Sequence, residues 1–92
     1  MIVRISGEGQ FELGDAAAER LNALDNDAVA AVEAGEEQRF LDLFAQIVAF
    51  VRAEGARLAD DDLRGSDVIL PPPDTSFEEA SGEFSGEGLI PG

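Results

Sequence analysis

The chain has 92 residues, of which 20 are Asp or Glu and 6 are basic, all of them Arg, for a net charge of −14. That charge opposes binding to nucleic acid or to an anionic bilayer, whose affinities come from neutralising phosphates with cations. It suits a basic protein partner or simple solvation.

The length fits one domain, residues 1–92, with a modest core. Phe, Leu, Ile and Val supply 26 residues, above the roughly one fifth below which disorder is expected, so the chain should fold. Residues 1–13 read as a hairpin: 2–6 and 10–13 alternate apolar and polar, and Gly7-Glu8-Gly9 supplies the positive φ of a tight turn. This first Ser-Gly-Glu-Gly, at 6–9, recurs at 85–88.

Residues 15–55 read as a helical region. Gly14-Asp15 is a strand exit and helix cap, Asp15 and Glu19 place negative charge in the first turn, and Leu21 and Leu24 give the buried side. The Asp25-Asn26-Asp27 run interrupts the pattern, so a break or kink is expected there, followed by a short helical piece carrying Val29 and Val32 that stops at Gly35. Residues 36–54 form the strongest helix. Phe40, Leu41, Leu43, Phe44, Ile47, Val48, Phe50 and Val51 cover about half of its cylinder, against the ~100° stripe of an ordinary surface helix. Asp42, Gln46, Ala49 and Ala53 lie opposite. Such a helix needs cover from two directions. The hairpin and first helix supply one cover, and either the chain's own core or a partner, a second copy or another protein, supplies the other.

Residues 56–75 read as an exposed loop with an acidic run, Asp60-Asp61-Asp62, leading into an extended Pro-rich segment. Val68 to Leu70 is extended, Leu70 being kept out of the α region by Pro71, and three consecutive prolines make a stiff spacer. Residues 76–92 read as a short helix and tail. Thr75 and Ser76 each precede a glutamate by three, a capping box in either register, and Phe77, Ala80 and Phe84 share one side. Gly82 weakens this helix by about 1 kcal/mol relative to alanine. The second Ser-Gly-Glu-Gly then stops it and turns Leu89-Ile90-Pro91 back toward some surface. The fold class is α+β: a hairpin packed on a small bundle of two to three helices, with an extended Pro-rich segment and a short C-terminal helix.

No sequence feature carries catalysis. The absence of His, Cys, Lys, Tyr and Trp removes Ser-His-Asp and Cys-His nucleophiles, Schiff-base lysines, thiolate or imidazole zinc sites and a P-loop lysine. Neither Gly-Glu-Gly is followed by the further glycine and helix of a phosphate loop, and a central glutamate would repel the ligand. Asp60-Asp61-Asp62 lacks EF-hand spacing, and no carboxylate stands in an evident apolar pocket that would raise its pKa. No cofactor and no metal are expected. The longest apolar run is far below a membrane span and the start lacks a signal-peptide core, so a cytoplasmic protein is expected. The two Ser-Gly-Glu-Gly copies sit in unlike surroundings and read as two uses of one turn chemistry, not a duplication.

The landmarks "MIVRISGEGQFEL", "LNALD", "AVEAGEE", "SDVILPPPD", "SFEEA" and "GEGLIPG", in that order and spacing, resemble the PspA-associated domain family, PspAA, small bacterial and archaeal proteins associated with phage shock protein A. The likeness runs nearly end to end, and its specific part is the Ile-Leu-Pro-Pro-Pro-Asp and Gly-Glu-Gly-Leu-Ile-Pro-Gly segments. It implies a cytoplasmic, non-enzymatic accessory of the PspA envelope-stress system, whose PspA component is a coiled-coil protein that assembles on membranes. It carries no functional residues over. The expected function is therefore a protein-interaction adaptor whose partner is PspA, with no nucleic acid and no direct membrane contact. The contact residues expected are Phe40, Phe44, Ile47, Phe50 and Val51 of the wide helix, Ile69, Leu70 and Pro71, and Leu89 and Ile90 of the tail. The alternatives are a structural homo-oligomer, a dimer through the wide helix face with no external client, and a carboxylate-based metal-binding or hydrolytic protein.

Overall fold

A computed structural model describes residues 1–59 and 65–84. The expectations placed on Asp60-Asp61-Asp62, on the second Ser-Gly-Glu-Gly and on Leu89 and Ile90 lie outside the described residues. The fold is α+β, in the order β1 (Ile2–Ile5), β2 (Gly9–Glu12), α1 (Asp15–Glu33), α2 (Glu37–Glu54), β3 (Ala56–Arg57), β4 (Val68–Leu70) and α3 (Phe77–Phe84).

The hairpin forms as its glycines dictate. Gly7 and Gly9 take φ of 85° and 136°, Glu8 N–H donates to Ile5 C=O at 2.9 Å, and Val3 pairs with Phe11 across the two strands. Yet the hairpin is only half of a four-stranded sheet, ordered β3-β2-β1-β4. Residues 56 and 57, expected in a loop, add antiparallel to β2, and the extended Val68–Leu70 is β4, parallel to β1 with Val3 opposite Val68 and Ile5 opposite Leu70. The prolines after β4 do not run on as a spacer: Thr75 N–H donates to Pro72 C=O at 3.0 Å, so the chain turns there.

The break expected at residues 25–27 is absent, and α1 runs unbroken for 19 residues. Asp25 is 2 % exposed and shares the buried stripe of Leu21, Ala28 and Ala31, so the residue that looked like an interruption faces inward. Packing along that stripe outweighs the modest helix penalty of Asp and Asn. Gly35 ends α1 with φ 73° while Glu36 N–H reaches Ala31 C=O and Gly35 N–H reaches Val32 C=O, both pairs of a Schellman stop. The two long helices form an antiparallel hairpin on the sheet face carrying Val3, Ile5, Phe11, Val68 and Leu70, and these join one core.

The last cover of that core is α3. Ser76 caps it, its Oγ accepting from Glu79 N–H at 3.3 Å, and Thr75 Oγ1 donates to Glu79 Oε2 at 2.8 Å. Ala80 and Phe84 are fully buried, and Phe84 meets Phe40 and Phe44 edge to face at 5.1 and 5.9 Å.

Candidate functional site

The core placement decides which expected contact residues can meet another molecule. Phe40, Phe44, Ile47 and Val51 are between 0 and 3 % exposed, and Leu70 is 1 % exposed. The expectation that the wide face of α2 waits for a partner is corrected: the sheet, α1 and α3 cover it within one chain. Phe50 is half-buried, and Arg20 lies 5.8 Å over its ring. Pro71 is half-buried and Ile69 is 57 % exposed. Of the expected contact residues that are described, Ile69, Pro71 and Phe50 remain accessible.

Ile69 owes its position to the pleat. Val68 and Leu70 point into the core, so Ile69 between them projects from the opposite face, level with Arg4 on β1. It is the exposed large hydrophobic residue among the described ones. A shallow groove of about 360 Å³ lies beside it, lined by Ser6, Ile69, Pro71, Pro72, Thr75 and Glu79 among others. The Thr75 to Glu79 hydrogen bond fixes the acidic wall of that groove, and the exposed Asp74 lies between its lining residues Pro72 and Thr75 along the chain. Ser6, Thr75 and Glu79 were not among the expected contact residues. Their signal is three-dimensional, since the parallel pairing of β4 brings Ser6 N–H onto Leu70 C=O at 3.1 Å.

Two other places concentrate polar side chains. Between α1 and α2 an open hollow of about 540 Å³ is lined by Arg20, Leu24, Asp27, Gln46 and Phe50 together with small alanines. At the hairpin turn, Glu8 is gripped by Arg52 of α2: Arg52 Nε donates to Glu8 Oε1 at 2.9 Å, and the two residues also form an ion pair. Arg57 Nη2 donates to the Glu8 carbonyl at 2.9 Å and its guanidinium sits 6.0 Å from the centre of the Phe11 ring. The hydrogen bond from Arg52 holds the Glu8 carboxyl below its ordinary range, and the same bond holds the Arg52 guanidinium above its own. The centre of the first Ser-Gly-Glu-Gly is therefore a staple between turn, α2 and β3.

Asp25, expected in a helix break, is instead a buried carboxylate, and it is not without a partner. Among the described residues no group of three or more acidic side chains could hold a metal ion, and no helix is long and apolar enough to cross a membrane.

A family described as PspA-Associated protein matches residues 1–92, the whole chain. No curated protein and no solved structure matches it.

Proposed function

The chain belongs to the PspA-associated protein family, and from that premise we propose that it is a non-enzymatic adaptor of the cytoplasm that binds PspA itself. The whole-length family match is the observation that carries this reading. The composition supports it, because a chain of net charge −14 without His, Cys or Lys is poorly equipped for catalysis or phosphate binding and well equipped to be steered to a basic protein surface. The accessible apolar residue Ile69 beside an acidic groove offers a contact of the corresponding kind.

The test is direct association. Purified chain mixed with purified PspA at micromolar concentration should sediment with it, and separate sedimentation of the two sinks the proposal. The same run reads the self-association of the chain alone. The burial of Phe40, Phe44, Ile47 and Val51 favours the adaptor over a dimer built on the wide face of α2.

A further inference from the structure

We infer that the outer edge of β4 is the surface through which this adaptor takes its partner, and that the occupant is an extended, basic peptide segment that adds beside β4 as a fifth strand. The inference rests on the adaptor reading and supplies its surface and its chemistry.

The backbone provides the first argument. Leu70 C=O accepts from Ser6 N–H, so the polar groups of Leu70 point toward β1. In a parallel strand successive residues direct their N–H and C=O to alternate edges, so those of Ile69 point away from β1. Among the described residues no strand lies on that side of β4. An open edge of this kind is a template for strand addition, with main-chain bonds giving affinity and side-chain pockets giving selectivity.

The two edges of the sheet are treated unequally. β3 is only two residues long and carries Arg57, whose guanidinium is committed to Glu8 and Phe11. A charged side chain is a usual means of blunting an edge, and it is this, not length, that separates β3 from the three-residue β4. β4 has neither a charge nor a proline inside Val68–Leu70, and its outward side chain is an exposed isoleucine. Pro71 then limits the pairing to a short stretch, since the prolines cannot donate to a ladder.

Charge selects the occupant. Glu79 lines the groove, among the described residues no cation does, and the exposed Asp74 lies between its lining residues Pro72 and Thr75 along the chain. Arg4, the neighbouring cation in register, sits one strand further in. A second copy docked here would set these carboxylates against their own kind, and like charges placed opposite each other destabilise a strand pair. A segment alternating apolar residues with Lys or Arg would instead seat an apolar side chain against Ile69, Pro71 and Pro72 and place a cation near Glu79.

The experiment is a heteronuclear NMR titration of the full chain with a short synthetic peptide of alternating valine and lysine. Comparators are the same peptide with glutamate in place of lysine and the same peptide N-methylated on alternate residues. Saturable shifts centred on Ser6, residues 67–72 and Glu79 are expected. Ile69→Asp and N-methylation should each weaken binding by about tenfold, ~1.4 kcal/mol. An unchanged spectrum away from β4 shows that Ile69→Asp folds, and Ile69→Thr, which keeps β-propensity, serves as the milder variant. Shifts scattered over the acidic helix faces, or equal binding of the N-methylated or glutamate peptide, overturn the proposal. So do binding that appears only when Leu89→Ser and Ile90→Ser are introduced together, which makes the chain's own tail the occupant, and β4 shifts that grow with protein concentration alone. If the peptide binds as stated but PspA does not, the adaptor reading falls and the edge stands. If PspA binds Ile69→Asp as tightly as the parent, the edge falls and the adaptor stands.

Discussion

Asp67 holds both backbone polar groups of Ile2: its Oδ2 accepts from the Ile2 N–H at 2.8 Å and its own N–H donates to the Ile2 C=O at 2.8 Å. This double contact sits at the start of the β1–β4 pairing and fixes its register. Asp67→Ala removes the carboxylate acceptor and should cost about 1 to 2 kcal/mol in urea unfolding, with Asp67→Asn costing less because an oxygen remains. Equal stability of all three proteins would show that the side-chain bond contributes nothing.

Phe84 of α3 is fully buried and closes over Phe40 and Phe44. Phe84→Ala should destabilise by about 3 to 5 kcal/mol, a large share of the stability of a domain this small. A loss under about 1 kcal/mol in guanidinium unfolding would mean that α3 is not part of the core.

Two glycines predict opposite signs. A Cβ at Gly55 would lie 2.6 Å from the Val51 carbonyl oxygen and 2.8 Å from Phe11 Cβ, both of them atoms with no room to yield, so Gly55→Ala should cost about 1 to 3 kcal/mol. At Gly82, within α3, the same carbon meets nothing within 4 Å, and Gly82→Ala should stabilise by about 0.5 to 1 kcal/mol. Thermal unfolding of the pair decides, and a shared sign refutes the packing assigned to one of them.

The Glu8 staple gives a pH dependence. Its carboxyl is held below the ordinary value of 4.5 by the hydrogen bond from Arg52, so its contribution is fully present above that value and fades as pH falls through the lower folded one. The parent and Glu8→Gln should therefore differ slightly in stability at neutral pH and converge in acid. The pair is solvent-exposed, so added salt should narrow the gap. A gap that widens on acidification contradicts the assignment.

The local chemistry of the chain was readable where a single residue type dictates the backbone. Gly7 and Gly9 mark the hairpin, Gly35 ends α1, and Ser76 with Glu79 starts α3. What escaped reading is non-local: Ile2 and Asp67 are 65 residues apart, and no pattern within either segment names the other. The charge of Asp25 reads as a helix break, yet its angular phase puts it on the buried stripe of Leu21 and Ala28. The candidate site divided in the same way. Alternation in Val68-Ile69-Leu70 puts Ile69 outside and can be read directly, whereas the width of the apolar face on α2 says how much cover it needs and not that Phe84 supplies it.

The placement of β1 between β2 and β4 governs the order in which the molecule can assemble. A chain emerging from the ribosome presents Val3 and Ile5 first, but their parallel neighbour arrives only with Val68 and Leu70, after both long helices. Contacts so distant in sequence slow folding, and until they form the unpaired side of β1 is an adhesive strip open to other nascent chains. Lengthening that interval by stalling translation before residue 68 should raise the aggregated fraction.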